Sequence, residues 1–383
     1  MYRYQHDLVK DEAIYIAGPE CFYKYGYDLL AAMRKRAEAL GFGVTLPNDH
    51  PLDMENPDHQ KRADSIFEDL KAIMLETTVI VSDLEAYRGC EPDSGTIYEI
   101  GMAYAKGARS YAYTRDKRSM AVKNQQSYLK DGKTYDERNN VMPYSNLPFA
   151  PSIIGSTKIV EGDFDDCLHM LLTDIEEENK ARILGGPNTV KIRERSPRTS
   201  NRPLVYLSGF ERYDTDGQEV FAKMKALCNQ YGLDAVSPLD WAEGVKEIKT
   251  DNPYIWATLM FDNYQQHVRD CDVLIANLND YRGYEVNNDV GFECGMGFQL
   301  GKKLYGYMDN DDILVNRIPH LGEAAEYRDQ NGSNVEDFDY PANLMFGSSM
   351  KIYGGKFEEI ISKIAEDLNN GKYTNTTQSS ENR

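Results

Sequence analysis

The sequence predicts an α/β protein made of two copies of one unit, each a parallel sheet with helices on both faces. Short β-rich runs alternate with helical patterns along the chain, which is typical of three-layer parallel sheets. Self-similarity is the second observation: residues 14–20 match residues 205–211, and Tyr-Arg-Gly-x-Glu at 87–91 recurs at 281–285. A length of 383 residues, long for one domain, agrees with two domains.

The elements of the first copy follow from the spacing of its apolar residues. Unbroken apolar runs indicate buried strands, and recurrence every three or four residues indicates helices. The prediction in chain order is a strand at 13–17, a helix over 29–40, a helix at 59–76, a strand at 78–81, a helix at 96–106, a strand at 110–114 and a closing helix near 164–180. The polar stretch 115–150 has little periodicity and is interpreted as a long loop or lid.

The second copy repeats this order. Its predicted elements are a strand at 204–208, helices at 216–230 and 254–270, a strand at 272–278, a helix at 290–301, a strand at 303–308 and a closing helix at 356–369. From composition we expect a first domain over residues 1–183, a linker over 184–203, a second domain over 204–372 and a disordered tail over 373–383.

The bulk charge and hydropathy exclude several classes of partner. The formal net charge is −19 at pH 7, whereas nucleic-acid-binding proteins cluster Lys and Arg. No apolar run approaches a membrane span, and the first residues contain no apolar secretory segment. The scattered cysteines and histidines form no Cys-x-x-Cys or His-Glu-x-x-His pattern. We therefore expect a cytoplasmic protein that binds a small ligand such as a nucleoside, without a metal, a nucleic acid or a membrane.

Three segments of the first copy are expected to meet at the carboxyl ends of its strands, where parallel sheets bind ligands. They are the loop 18–22, the strand end at Asp83, and the loop 88–95 that leads to the helix with Glu99. Asp69, on the preceding helix, could lean into the same cleft. Phe22 could stack on a base, although aromatic residues are frequent throughout this chain.

Glu99 has two interpretations. Thr96-x-x-Glu99 fits a capping box, in which the glutamate accepts a hydrogen bond from the backbone at the helix start. Alternatively, a carboxylate in the first turn is held ionised by the helix dipole, as a nucleophile requires. The second copy has Val290 where Thr96 stands yet keeps Glu293, although Asn288 or Asp289 could cap that helix. The glycines that follow in both helices are attributed to helix–sheet packing.

These residues resemble the nucleoside 2-deoxyribosyltransferase family. The similarity rests on Tyr15-x-Ala-Gly18-Pro, on Asp69 within a helix, and above all on the Asp-x-Gly-x-x-x-Glu-x-Gly-x-Ala stretch at 93–103. It covers the sheet-and-helix core of both copies. The resemblance implies a flavodoxin-like fold and no cofactor. It also implies a role in nucleotide salvage, in which 2-deoxyribose passes between nucleobases through a covalent glycosyl-glutamate.

The resemblance also implies roles for single residues. Glu99 takes the position of the nucleophile, Tyr15 that of the tyrosine that orients it, Asp69 that of the acid for the base, and Asp93 that of the aspartate near the sugar 5′-hydroxyl. Relatives that hydrolyse nucleoside 5′-monophosphates tend to have serine at the last position, where an aspartate would repel a phosphate. The other substrate-binding candidates are Gly18, Phe22, Asp83, Asn343 and Ser348.

The second copy departs from the family pattern at its acids. Asparagines Asn263, Asn277 and Asn287 replace the aspartates 69, 83 and 93, whereas Glu293 and Tyr206 are kept. Asparagine keeps the polar shape but cannot exchange a proton, so we expect a weakened or inactive second site. Asp262 or Asp289 could rescue it.

Assembly of the family implies that a neighbouring subunit completes each pocket. The tandem fusion is expected to supply that neighbour as an intramolecular pseudo-dimer, which could assemble further into a homo-oligomer. Asn343-Leu-Met and Ser348 resemble the loop that reaches the partner's sugar, and 146–148 is the less recognisable equivalent in the first copy.

The leading expectation is an enzyme that cleaves the N-glycosidic bond of a nucleoside and passes the sugar to a base or to water. The alternatives are a nucleoside 5′-monophosphate N-glycosidase and a non-catalytic nucleoside- or nucleotide-sensing module. Retention of Asp69, Asp93 and Glu99 together favours catalysis.

Overall fold

The computed structural model describes residues 8–142, 145–183, 194–241, 245, 248, 250–323 and 326–371. Most of the expected linker, residues 184–193, and the expected tail after residue 371 lie outside the described residues. No described helix combines the length and the apolar character needed to cross a membrane.

Each copy contains one five-stranded parallel sheet. The strands of the first copy are β1 (Ala13–Ala17), β2 (Gly43–Thr45), β3 (Val79–Asp83), β4 (Arg109–Thr114), the short hairpin β5 (Tyr128–Lys130) and β6 (Lys133–Tyr135), and β7 (Lys158–Glu161). Its helices are α1 (Gly26–Ala39), α2 (His59–Glu76), α3 (Ser94–Lys106), α4 (Met120–Lys123), α5 (Pro151–Ser156) and α6 (Phe164–Ile183).

The second copy repeats these elements. Its strands are β8 (Leu204–Ser208), β9 (Asp234–Val236), β10 (Val273–Asn277), β11 (Lys303–Met308), β12 (His320–Leu321), β13 (Arg328–Asp329) and β14 (Lys351–Gly354). Its helices are α7 (Gly217–Gln230), α8 (Pro253–Asp270), α9 (Asn288–Gln299), α10 (Leu314–Arg317), α11 (Leu344–Ser349) and α12 (Phe357–Asn369).

The strand orders confirm the predicted fold class. They are β2-β1-β3-β4-β7 and β9-β8-β10-β11-β14, the flavodoxin-like order in both sheets. The short edge strands β2, β7, β9 and β14 were not predicted, because three or four residues carry too little pattern. The stretch 115–150, interpreted as a loop or lid, contains α4, the β5–β6 hairpin and Ala150, which precedes α5.

The two copies share one hydrophobic core. It combines buried residues of α2 and α3 with those of α8 and α9, such as Phe67, Tyr98, Phe261 and Phe292. Two further clusters lie on the outer faces of the sheets, one beneath α1 and α6 and one beneath α7 and α12. The inner helical layers of the two copies are therefore packed against each other, as in the expected pseudo-dimer.

Glycines allow α3 and α9 to approach closely. A Cβ atom at Gly101 would lie 2.2 Å from the Phe292 carbonyl oxygen, and one at Gly295 would lie 1.9 Å from the Tyr98 oxygen. The attribution of these glycines to helix–sheet packing was wrong, since the neighbouring atoms belong to the other copy's helix. Either glycine replaced by alanine would push the two copies apart.

The repeated Arg-Gly-x-Glu loops join the copies by reciprocal ion pairs. Gly89 and Gly283 face each other in an antiparallel bridge. Arg282 donates to Glu91 at 2.6 Å and to Asp136 at 3.1 Å, and Arg88 donates to Asp329 at 3.0 Å and lies 3.6 Å from Glu285. The motif that revealed the duplication is thus part of the contact between the copies.

Candidate active site

Glu99 lies in the second turn of α3 and does not cap it. The N-cap is Asp93, whose Oδ2 accepts hydrogen bonds from the Thr96 nitrogen and hydroxyl, each at 2.7 Å. Glu99 instead accepts a hydrogen bond from the Tyr15 hydroxyl at 2.7 Å across the sheet. The capping-box interpretation of Glu99 was therefore wrong.

Burial opposes the ionised form of Glu99 that its position near the helix start was expected to favour. Glu99 is 6% exposed, and burial raises its pKa to about 8. The hydrogen bond from Tyr15 acts in the opposite direction, and the nearby Asp93 raises the pKa further. The hydrogen bond from Tyr15 is thus the contact that favours the ionised form of Glu99.

One carboxylate oxygen of Asp93 caps α3, and the other makes no hydrogen bond in the structure. Its Oδ1 is buried and has no hydrogen-bond partner in the structure. Burial raises the pKa of this carboxyl, while its hydrogen bonds with Thr96 lower it. A buried acceptor without a partner is costly unless a ligand satisfies it. Asp93 is therefore suited to accept a hydrogen bond from a ligand.

Glu99 and Asp93 open into a cleft with a cavity volume of about 180 Å³. Both copies line it. The first copy contributes Gly18, Cys21, Phe22, Tyr27, Pro47, Asn48, Met54, Ile66, Asp93, Gly95, Thr96 and Glu99, and the second Asn334, Glu336, Phe338, Asn343, Leu344 and Met345.

Asn343 belongs to this cleft, and Ser348 does not. Asn343 caps α11 by accepting a hydrogen bond from the Met345 nitrogen at 2.9 Å. A Cβ atom at Gly95 would lie 2.9 Å from the Asn343 side-chain nitrogen, so α11 of the second copy sits directly on α3. Ser348 is buried within α11 and does not line the cleft.

Asp69 is buried on α2, where its carboxylate contacts the ring nitrogen Nδ1 of His50. Neither residue lines the main cleft. His50 was not identified from the sequence, because it lies in a loop and matches no motif. In the second copy Trp241 occupies the position of His50 after the same Pro-x-Asp turn.

Asp83 lies behind the cleft. Its Oδ1 accepts a hydrogen bond from the Glu85 nitrogen at 2.8 Å, and the carboxyl shares another with the buried Glu20. Burial and the nearby Glu20 raise the pKa of Asp83 to about 8. Glu20 also accepts a hydrogen bond from Tyr113 at 2.8 Å. Gly18, which does line the cleft, leaves room for Glu20, since a Cβ there would lie 2.0 Å from Oε2.

Phe22 also reaches the cleft. Its ring stacks on Tyr87 with 5.6 Å between centroids, and its carbonyl accepts a hydrogen bond from the Asn334 nitrogen at 2.7 Å. The backbone of the loop at Phe22 is therefore held by a hydrogen bond from the second copy.

In the equivalent glutamate of the second copy, each carboxylate oxygen accepts two hydrogen bonds. Glu293, 1% exposed, accepts hydrogen bonds from Tyr206 at 2.8 Å and Ser208 at 2.5 Å. Arg212 adds a bidentate pair with both bonds at 2.7 Å. Ser208 and Arg212 stand where the first copy has Ala17 and Cys21. The Arg212 guanidinium therefore binds Glu293 from the sequence position at which Cys21 lines the cleft of the first copy.

Several of the remaining polar groups of the second site make structural contacts, although the buried Nδ2 of Asn287 has no hydrogen-bond partner in the structure. Asn287 caps α9, and Asn263 donates to the Pro238 carbonyl at 3.0 Å. Asp289, one proposed rescue carboxylate, contacts Tyr213 and accepts from the Ser152 nitrogen at 2.9 Å. Asp262, the other, accepts from Gln265 at 2.9 Å.

The segment that covers the second site also differs from its counterpart. Helix α5 packs against α8 and α9 as α11 packs against α2 and α3. Its N-cap is Ala150, so the structural equivalent of Asn343 is Ala150 and not the region 146–148. The polar cap that the second copy provides to the first is missing in the reverse direction.

The described residues bring three possible metal ligands together in one place. Ligand atoms of His59, Asp337 and Asp339 lie within 4.8 Å of one another, but all three residues are partly or fully exposed. They lie outside the residues that line the cleft.

The comparisons with known proteins agree with this architecture. The family model described as nucleoside 2-deoxyribosyltransferase matches residues 14–143 and again residues 205–345. An uncharacterized protein of Schizosaccharomyces pombe is 25% identical over 170 residues, which are 40% of this chain and 79% of that protein. The solved structure of a 2-desoxiribosyltransferase from Leishmania mexicana is 22% identical with a TM-score of 0.34, covering 43% of this chain and 97% of that one.

Proposed function

Because the chain belongs to the nucleoside 2-deoxyribosyltransferase family, with two copies of the family's domain, we propose that the first copy's cleft transfers the sugar of a 2′-deoxynucleoside. In this proposal the C1′–N bond is cleaved and the sugar passes to another nucleobase. The observation that carries the proposal is the pairing of Glu99 with Tyr15 at an open cleft completed by the second copy. The same glutamate in the second copy is bonded to Ser208 and Arg212 as well as to its tyrosine.

The reaction requires a nucleophile and an acid. A Glu99 oxygen bonds to C1′ as the C1′–N bond breaks, and the bond's electron pair leaves with the base. The departing base must also take up a proton, and the family resemblance assigns this role to Asp69, which lies against His50 outside the residues that line the cleft. In the second half, a nitrogen of the incoming base attacks C1′ and returns its proton to Asp69, while Glu99 leaves as a carboxylate. Water in place of the base gives free deoxyribose.

Ionisation of Glu99 is the electrostatic step that this mechanism needs. Burial raises the pKa of Glu99 to about 8, so much of it is protonated at neutral pH. The Tyr15 hydrogen bond lowers this pKa, which makes Tyr15 a positioning residue for the reactive form. The C1′ cation that develops in the transition state is stabilised by the same carboxylate.

Asp93 supports a nucleoside rather than a nucleotide as the substrate. Its buried Oδ1 accepts a hydrogen bond from the sugar 5′-hydroxyl in this proposal. A 5′-phosphate has no proton to offer at this position and would be repelled by the carboxylate. This disfavours the 5′-monophosphate N-glycosidase.

Incubation of the full chain with thymidine and adenine tests the proposal. We expect deoxyadenosine and free thymine. Free deoxyribose without deoxyadenosine would identify a hydrolase. If neither product forms while both ligands still bind, the cleft is a nucleoside-sensing site and the proposal is wrong.

Asp69→Asn tests the assignment of the acid. Loss of a general acid costs roughly 10²- to 10⁴-fold in turnover. The loss should be large for a nucleoside with a poor leaving group and small for one whose base leaves without protonation. An equal loss on both substrates, measured as kcat at saturation, would mean that Asp69 has another role.

A further inference from the structure

A second cavity lies between the two copies, beside helix α8. Its volume is about 320 Å³, at the lower end of the range for small-molecule sites. The first copy contributes Asn146 and Leu147 from the loop before α5, and the second contributes Asp251 and residues from the first half of α8. Of the described α8 residues that line it, only Met260 has an equivalent in the lining of the Glu99 cleft, Ile66. The cavity therefore does not simply repeat that cleft in the second copy.

The equivalent place beside α2 is occupied by a tyrosine. The two loops correspond, because the Leu147 carbonyl accepts a hydrogen bond from the first nitrogen of α4 at 2.7 Å and the Tyr340 carbonyl accepts one from the first nitrogen of α10 at 2.8 Å. The Tyr340 hydroxyl donates to Asp64 of α2 at 3.1 Å. Leu147 packs with Ala257 of α8 in a buried cluster. Leucine has no aromatic ring or hydroxyl, so it leaves space where the tyrosine fills it.

A second pair of positions differs in the same way. Beside α2, the side chains of His59 and Asp339 approach each other to 3.7 Å. Their equivalents beside α8 are Pro253 and Asn146, and both line the cavity. Proline cannot take part in such an ion pair. Two contacts that close this place beside α2 are therefore lost beside α8, and the lost volume includes an aromatic ring.

The wall of the cavity suits a flat, apolar ring. The indole of Trp256 and the thioether of Met260 both line it. Trp256 is held in place, because its Nε1 donates to the Thr250 carbonyl at 2.8 Å and its ring packs edge-on against Trp241 with 6.2 Å between centroids. Aromatic rings pack favourably on indole and on thioether sulfur. The site therefore presents a pre-formed aromatic surface to a ligand.

The polar groups of the cavity select for a ligand with N–H groups. Asp251 and Asn146 line it and are exposed. The carboxylate accepts hydrogen bonds, whereas the amide both donates and accepts them. An uncharged aromatic heterocycle that carries an amino group satisfies both side chains. An anionic ligand would be repelled by the carboxylate and by the acidic chain as a whole.

We propose that this cavity binds a free nucleobase with an exocyclic amino group, such as adenine, whose ring takes the place that Tyr340 fills beside α2. The aromatic character of the ligand follows from the lining, and the choice of a nucleobase rests on the proposed function, in which the first copy consumes and releases free bases. The bound base is not exchanged there, because Glu293 is bonded to Arg212 and does not line the cavity.

The only two tryptophans of the chain, Trp241 and Trp256, make the cavity observable. In a Trp241→Phe protein, Trp256 is the single reporter, and adenine should change its fluorescence and saturate below about 1 mM. Asp251→Ala or Asn146→Ala in this background removes one hydrogen-bond partner and should weaken adenine binding roughly 3- to 10-fold. Glu219→Ala, which removes an exposed acid on α7, is the matched control and should change nothing.

Filling the cavity and measuring base exchange complete the test. Leu147→Tyr restores the missing ring and should abolish the fluorescence change. Asp251→Ala and Asn146→Ala should keep the wild-type kcat/KM for base exchange, because neither residue lines the Glu99 cleft.

The proposal is overturned if adenine leaves the Trp256 fluorescence unchanged, or if neither alanine variant weakens binding. Base exchange with no fluorescence change defeats this inference alone. Saturable adenine binding that depends on Asp251 and Asn146, in a protein that exchanges no bases, defeats the proposed function and supports the nucleobase site.

Discussion

The two glutamate sites differ most in what surrounds the same side chain. In the first copy Glu99 accepts one hydrogen bond from Tyr15 and lies at an open cleft, whereas in the second Glu293 accepts four hydrogen bonds and is enclosed. Two of those four come from a single substitution, Arg212 where the first copy has Cys21. In the second copy an added cation therefore binds the glutamate, besides the replacement of three aspartates by asparagines.

Because the two copies are fused, the residues that each contributes to the other's site are not equivalent. The second copy gives the first a polar cap, Asn343, and the buried Glu336. The first copy gives the second Ala150 at the position of Asn343, and Ser152, which binds Asp289. A homodimer has to keep both sites alike, but a fused pair can let one copy become a cover for the other. That freedom is a physical reason why a tandem chain can keep one site and lose the other.

Replacing either glutamate by glutamine, one at a time, should give the largest difference in kcat between the two copies. Glu99→Gln removes the nucleophile, and we expect a loss of roughly 10³-fold or more in kcat. Glu293→Gln should leave kcat within about twofold. It should nevertheless lower the free energy of unfolding by about 3–5 kcal/mol, because Arg212 stays buried without its anion.

Chemical denaturation and base-exchange kinetics of the two variants measure these effects. Near-normal turnover of Glu99→Gln would refute the covalent mechanism. A folded Glu293→Gln protein as inactive as Glu99→Gln would require two catalytic sites.

Introducing the equivalent arginine into the first copy should give the next largest effect on activity. Cys21→Arg places a guanidinium next to Glu99, as Arg212 lies next to Glu293, and two charge-assisted bonds should lower kcat/KM on the order of 100-fold. Cys21→Met is the control, because it adds length without charge. The reverse change, Arg212→Cys, should open the second site without making it active, since Asn263 and Asn287 cannot act as acids. Unchanged activity of Cys21→Arg would show that the arginine does not close the site.

The sequence predicted the sheets and the helices better than the contacts between the copies. Long helices such as α2 and buried strands such as β8 carry a strong pattern, and their limits agreed with the prediction. The capping of α3 by Asp93 was missed because Thr96-x-x-Glu99 satisfies the same short motif three residues later. The roles of Gly101 and of the Arg88 loop depend on the other copy, which the spacing within one copy cannot show.

The same distinction applies to the site. Glu99 was found from the register that it shares with Glu293, Tyr15 was assigned from the family resemblance, and the structure brings the two together. Arg212 was available from that alignment as a basic residue opposite Cys21, but its effect depends on where the side chain lies. Glu336 had no pattern at all, because it lies in an irregular segment and enters the site only through the fold.

The pH dependence of the first site should depend on Tyr15. Protonated Glu99 cannot attack, so kcat/KM should rise about tenfold per pH unit and level off near the Glu99 pKa of about 8. Tyr15→Phe removes the hydrogen bond that favours ionisation and should move this limb upward by about one pH unit, which is an approximately tenfold loss at neutral pH. Tyr206→Phe, the same change beside Glu293, should leave the profile unchanged. If Tyr15→Phe leaves the rising part of the pH profile where it is in wild type, Glu99 is not the titrating group.

The smallest effect should come from Asp83→Asn, although it makes the first copy resemble the second. Asp83, with its pKa raised to about 8 mainly by burial, is protonated at neutral pH and shares its hydrogen bond with Glu20 while Oδ1 accepts from Glu85. Asn277 makes the same two contacts, donating to Glu211 at 2.7 Å and accepting from Asn279 at 3.0 Å. The change of aspartate to asparagine here preserves a hydrogen bond and loses no acid chemistry.

We therefore expect kcat/KM of Asp83→Asn within about threefold of wild type, whereas Asp83→Ala, which leaves Glu20 without this donor, should unfold more easily. The sign of the pH effect follows from the raised pKa. The stability that protonated Asp83 contributes is present below its ordinary pKa and is lost as the pH rises through about 8. Asparagine does not titrate, so the variant should gain stability relative to wild type as the pH rises across that window, measured by denaturant unfolding. A large loss of activity with normal folding would instead make Asp83 a participant in the chemistry, and the second copy's Asn277 a true loss of function.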